Sequence, residues 1–123
     1  EREELRVVND QHGAPTSSIA IADATAEILQ RHRADAHGLF HLTAGGETTW
    51  FGFTEAIIEH ARASLPRVPR LVPITTAEYP TPAKRPAYSV LSCAKVRAAL
   101  GIEMTAWPEQ LDRAWKQYVA SAR

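Results

Sequence analysis

Lys84 and Arg85 could hold an anion. They lie in Tyr79–Ser92, YPTPAKRPAYSVLS, a stretch with three of the chain's eight prolines. A guanidinium is a planar fork that suits bidentate contact to phosphate or carboxylate, and an ammonium adds a compact charge. Two phenols, Tyr79 and Tyr88, flank the pair. Proline locks φ and pushes the residue before it out of the α region. Tyr79, Thr81 and Arg85 each precede a proline, so the spacing predicts a stiff, extended loop. Such a loop can bind an anionic, partly planar ligand without ordering itself first. The same composition also suits a plain surface connector between two helices.

A second polar group is Asp10, Gln11, His12 and Thr16, within DQHGAPT. It follows a short β-branched run, so it places four polar side chains at the end of a strand. Ligands often bind there in open α/β sheets, although an ordinary strand–helix turn has the same composition. Cys93, the single cysteine, follows Ser92 at an expected helix start. A thiolate is somewhat favoured at such a start, but a small buried hydrophobe is the plainer reading. His41 has no ligand at metal spacing and is expected to be a hydrogen-bonded core histidine. Ala44-Gly45-Gly46-Glu47 lacks both the G-x-G-x-x-G spacing and the Lys-Ser/Thr ending of a phosphate-binding loop.

The elements that must position these residues follow from patterning. Glu1–Glu4 suits the end of a helix, and Leu5–Asn9 a short strand. Thr16, Ser17 and Ser18 can each cap a helix over Ile19–Arg33, with Ile21, Ala24, Thr25, Ile28 and Leu29 on its apolar face. Arg31, His32 and Arg33 complement the dipole in its last turn. Gly38–Thr43 reads as a strand covered on both faces. Thr48 or Thr49 caps a helix over Trp50–Ala63, with Trp50, Phe53, Ile57 and Ala61 as its buried stripe. Leu71–Ile74 is a short extended piece, where Pro73 suits an edge or a strand end. Ser92 should cap a helix that Gly101 stops, with Val96, Ala99 and Leu100 inward. Pro108 suits the first turn of a last helix, Trp107–Ala120, burying Leu111, Trp115, Tyr118 and Val119. The order is α/β, with few short strands and about four helices, too few strands for a doubly wound sheet of its own.

The 123 residues carry 14 basic and 14 acidic side chains, so the formal net charge is zero. That argues against nucleic-acid or polyanionic-membrane partners, which need a basic surplus. A local basic patch at Arg67, Arg70, Lys84 and Arg85 stays open. No run approaches the ~20 apolar residues of a membrane span. A lone cysteine and no visible signal peptide favour a reducing, cytoplasmic setting. The opening Glu1-Arg2-Glu3-Glu4, without an initiator Met, reads as part of a longer chain entered in mid-helix.

Three ordered segments resemble the dTDP-4-dehydrorhamnose reductases, a family of extended short-chain dehydrogenases/reductases. Val7–Thr16 is similar to their V-V-x-D-Q-x-G-x-P-T segment. Gly38–Leu42 with Gly46–Trp50 is similar to G-x-Y-H-L…G-E-T-S-W, and Tyr79–Leu91 to Y-P-T-P-A-x-R-P-x-Y-S-x-L. The resemblance covers nearly the whole chain. It implies the C-terminal part of an NAD(P)-binding Rossmann-type reductase, with residues 1–123 as the substrate-binding portion and the dinucleotide-binding part absent. The family reduces a 4-keto dTDP-sugar with NADPH or NADH, forming dTDP-L-rhamnose. No tyrosine here is followed four residues later by lysine, so the family's catalytic pair is missing and these residues alone are expected to be inactive. By resemblance Arg85 holds the diphosphate of a dTDP-sugar nucleotide, Gln11 and Thr16 line the pocket, Tyr88 flanks the nucleotide and Lys84 adds charge. Some members use a divalent cation, but no carboxylate cluster here suggests one, and no metal is expected. A homodimer of the full-length protein is compatible with the resemblance. The alternative is a non-catalytic relative of the kind that regulates methionine adenosyltransferase, which shares the fold and binds a partner enzyme.

Overall fold

The computed structural model describes residues 3–31 and 36–121. These form two compact units, one running to Gly13 and from Glu47 to Val90, the other from Ala14 to Gly46 and from Leu91 onward.

In the first unit, β1 (Glu4–Val8) pairs in parallel with β4 (Arg70–Ile74), Leu5 opposite Leu71 and Val8 opposite Ile74. Arg70 donates to Glu3 O at 2.9 Å and Asn9 to Ile74 O at 2.9 Å. A parallel ladder therefore uses alternate residues of β4, and the missing N–H of Pro73 falls on the side away from β1. β2 (His12–Gly13) pairs antiparallel with β3 (Thr48–Thr49). Thr49 then caps α2 (Trp50–Ala61), its Oγ1 accepting the Gly52 N–H at 3.1 Å. A Cβ on Gly52 would lie 2.6 Å from Thr48 Oγ1, so a side chain there would force Thr48 to shift. Trp50 was expected to be helix packing, yet it is 59% exposed. As the first residue of α2 it precedes the turn on which its side chain could lie.

The second unit holds α1 (Ser18–Gln30), α3 (Ala94–Leu100) and α4 (Trp107–Ser121). Ser17 caps α1, its Oγ accepting from Ala20 N at 3.1 Å. Ala24, Val96, Leu100 and Ile102 form the core, with Ile28, Phe40, Leu42 and Met104 packed against it. Gly101 ends α3 in the left-handed region at φ 65°, as its position predicts, and its N–H bonds Arg97 O. Arg31 Nη1 donates to Gly101 O at 2.9 Å, tying the end of α1 to that turn.

Several expectations fail in informative ways. Gly38–Thr43 is not a strand. Its polar backbone groups find side chains of Cys93 and Lys95 instead: Lys95 Nζ donates to Leu39 O at 2.8 Å, and the Thr43 N–H donates to Cys93 Sγ at 3.2 Å. Lys95 also stands 4.5 Å above the Phe40 ring, a cation–π contact. His41 is exposed rather than buried. Ser92 does not occupy the cap of α3. Cys93 does, without a side-chain cap bond, while Ser92 Oγ accepts from Ala94 N at 3.3 Å. Thr25, Leu29, Ala99 and Tyr118 are exposed although placed on apolar faces, because only a narrow stripe of each helix meets the small core. Glu4 lies in β1 rather than a helix; Glu1, Arg2, His32 and Arg33 lie outside the described residues.

The buried polar residue of this unit, Gln110, was not singled out in the sequence. It is 3% exposed, its Oε1 accepts the Ser17 N–H at 3.0 Å, and its Nε2 donates to Thr105 O at 2.9 Å. One amide thus joins the entry of α1 to the entry of α4. Replacing it strands partly buried backbone groups. Gln110→Ala and the volume-matched Gln110→Leu should each lower stability by about 1–3 kcal/mol, read by urea unfolding; a neutral Gln110→Leu would show that the amide only fills space.

Candidate functional site

The proline-rich loop belongs to the first unit as far as Val90, and one short run of residues bonds its entry and the stretch after its last proline. Its entry is a single 3-10 turn, Thr76–Glu78, closed by a capping box. Glu78 Oε2 accepts the Thr75 N–H at 2.8 Å and the Thr75 hydroxyl at 3.0 Å. Asp10 reaches across from the end of β1. Its carboxylate accepts the Thr76 N–H at 2.9 Å and the Thr76 hydroxyl at 2.6 Å. Gln11 Nε2 donates to the same hydroxyl oxygen at 3.0 Å.

The loop's exit is tied to the next residue, His12. The His12 N–H bonds Ala87 O at 2.8 Å, and His12 O accepts from Ser89 N at 2.9 Å and Ser89 Oγ at 3.0 Å. Tyr88 OH donates to Glu47 Oε2 at 2.8 Å, and its ring stacks on His12 with centroids 6.3 Å apart. His12 Nδ1 lies 3.7 Å from Glu47 Oε1.

The electrostatics follow from these bonds. The Thr76 hydroxyl and N–H stabilise the Asp10 carboxylate and lower its pKa. The Thr75 N–H and hydroxyl do the same for Glu78, helped by Arg6. The hydrogen bond to the Glu47 carboxylate raises the Tyr88 pKa. The bond to the carboxylate disfavours the phenolate form.

Lys84 and Arg85 lie between the two ties, both exposed. Among the described residues neither has an ion-pair or hydrogen-bond partner. The rest of the basic stretch is different: Arg67 pairs with Glu3 and Arg70 with Glu4, so it is no four-residue basic patch. Of the residues singled out in the sequence, Gln11, Lys84, Arg85 and Tyr88 share this unit. Gln11 anchors the loop through its amide nitrogen. Thr16 belongs to the second unit, where its hydroxyl donates to Ala14 O and accepts the Ala44 N–H, each at 2.9 Å. Glu47 lies in a tight loop and in the Gly46–Trp50 segment, neither of which gives it a role; the signal for one is a phenol that needs an acceptor. Among the described residues, no group of three His, Cys, Asp or Glu side chains is placed to hold a metal ion. No helix among them is long and apolar enough to cross a membrane.

Residues 1–120 match the model of the RmlD substrate binding domain. The chain belongs to this family. It is 45% identical over 117 residues to a dTDP-4-dehydrorhamnose reductase of Burkholderia thailandensis, covering 87% of this chain and 39% of that protein. It is 40% identical over 111 residues to the dTDP-4-dehydrorhamnose reductase of Escherichia coli K12, covering 87% and 37%. Among solved structures, a dTDP-4-dehydrorhamnose reductase of Clostridium acetobutylicum superposes with a TM-score of 0.83 at 31% identity, over 97% of this chain and 40% of that one. The reductase of Bacillus anthracis, in complex with NADP, gives 0.80 at 28% identity, over 91% and 37%. The chain thus spans about two fifths of the length of these relatives. The RmlD substrate-binding domain shares the α/β fold of these Rossmann-type reductases.

The Asp10 clasp has a defined pH signature. A carboxylate whose pKa is lowered on folding stabilises the fold above its ordinary value, and that contribution is lost as pH falls through the lowered one. In this RmlD substrate-binding domain, Asp10→Asn should lower the melting temperature at pH 7 and flatten the decline below about pH 4, the ordinary range for aspartate. Parallel melting curves for variant and wild type across pH 2–7 would contradict the clasp.

Proposed function

We propose that this chain is the substrate-binding portion of an NADPH- or NADH-dependent dTDP-4-dehydrorhamnose reductase, which forms dTDP-L-rhamnose. The observation that carries the reading is Arg85. It stands with Lys84 between two sets of backbone and side-chain ties, exposed and, among the described residues, without a carboxylate partner, in a chain of the RmlD substrate-binding family. A cation left unpaired on a stiff support suits the diphosphate of a sugar nucleotide. Arg85 grips the diphosphate and Lys84 adds charge. Tyr88, its hydroxyl engaged with Glu47, offers the nucleotide its ring face. Gln11 acts through the Thr76 hydroxyl that its amide bonds, and Thr16 through the backbone of Ala14 and Ala44.

Hydride transfer needs a bound nicotinamide and a proton donor beside the keto group. These residues contain neither a Gly-rich dinucleotide fingerprint nor a Tyr-x-x-x-Lys pair. That chemistry is assigned to chain outside residues 1–123. The named reductases and the NADP complex support this reading over a methionine adenosyltransferase regulatory subunit.

The full-length protein should oxidise NADPH on addition of dTDP-4-dehydrorhamnose, and absence of turnover would refute the assignment. Arg85→Ala in that protein should weaken dTDP-sugar binding by ~2–4 kcal/mol, the scale for losing a charged contact to phosphate. Titration calorimetry gives the comparison, and an unchanged affinity removes Arg85 from the site.

A further inference from the structure

We propose that Glu47 is a positioning residue for the anion-binding loop, holding Arg85 in place through Tyr88. The proposal rests on the sugar-nucleotide reading above and adds a residue to it. Tyr88 stands three residues after Arg85, with Pro86 between them. Proline fixes one torsion of that short link, so the placement of Tyr88 restricts where the Arg85 backbone can go. Ala87 and Ser89 are already bonded to the backbone of His12. The Tyr88 side chain adds the link that those bonds do not supply.

The geometry of that link is specific. The phenol donates to Glu47 Oε2 at 2.8 Å, while His12 Nδ1 lies 3.7 Å from Oε1. The stacking of His12 on Tyr88 closes the triangle. Glu47 immediately precedes β3, and Thr49 of β3 caps α2, so the acceptor is carried at the entrance of a helix rather than on a free loop. A charged acceptor also makes this bond stronger than one between neutral groups.

Charge and positioning predict opposite signs. Removing a carboxylate from the neighbourhood of an anion site should, by charge alone, tighten anion binding. If Glu47 positions the loop, removing it should weaken binding instead. Glutamine separates the two, because its amide oxygen still accepts from the phenol while the charge is gone.

The test is calorimetric titration of the full-length protein with dTDP, with melting temperatures measured alongside. Wild type is compared with Glu47→Ala, Glu47→Gln, Tyr88→Phe and Arg85→Ala. Glu47→Ala and Tyr88→Phe should each weaken dTDP binding about three- to tenfold, the scale of one such hydrogen bond. Glu47→Gln should restore the wild-type affinity. Should Glu47→Ala fail to fold, Tyr88→Phe decides, since it removes one exposed hydroxyl. Unchanged or tighter binding by Glu47→Ala, with Arg85→Ala weakened, overturns the proposal, even if its melting temperature falls. Glu47→Gln as weak as Glu47→Ala overturns it too. An Arg85→Ala variant that binds dTDP normally overturns the sugar-nucleotide reading itself.

Discussion

Three consecutive residues, Asp10, Gln11 and His12, hold both ends of a loop that is far away in sequence. Each uses a different kind of group. Asp10 offers a carboxylate to Thr76, Gln11 an amide to the same threonine, and His12 its backbone to Ala87 and Ser89. They can do so because β1 pairs in parallel with β4. Parallel pairing puts the end of β1 beside the end of β4, so the residues leaving one strand meet those leaving the other. Two constraints act on the loop from Tyr79 to Ser92: proline restricts its torsions, and the residues leaving β1 bond Thr76 before it and Ala87 and Ser89 within it.

The clasp also explains the electrostatic contrast in this unit. Asp10 and Glu78 are stabilised as carboxylates by hydrogen bonds that the turn must make in any case. Arg6, Arg67 and Arg70 are paired with glutamates, where exposed ion pairs contribute little stability but do cancel charge. Lys84 and Arg85 keep theirs. A chain of zero formal net charge therefore exposes a Lys-Arg pair with no partner among the described residues, which that net charge does not reveal.

The second unit works differently. Its core is small, so it relies on polar ties at element ends. Gln110 links the entries of α1 and α4, Arg31 holds the turn after α3, and Lys95 holds the backbone of Leu39. Polar groups buried with their partners satisfied cost little and specify one arrangement, whereas one left unpaired is expensive.

The sequence by itself determined what is local. It offered Thr16, Ser17 or Ser18 for one cap and Thr48 or Thr49 for another, of which the structure uses Ser17 and Thr49, and it placed Gly101 as a helix stop, because each depends on neighbours within a few residues. The three ordered segments were legible for a similar reason, since residue type and spacing are present in the chain itself. Tertiary structure decided what depends on partners distant in sequence. Gly38–Thr43 has the apolar content of a strand, but strand formation needs a neighbour, and here its backbone bonds Cys93 and Lys95. Trp50 and Tyr118 look like core residues, yet whether an apolar side chain is buried depends on what faces it. The roles of Glu47 and Gln110 were hidden in the same way. A polar side chain acquires a structural role only from the donor or acceptor that folding brings beside it, and theirs come from 41 and 93 residues away.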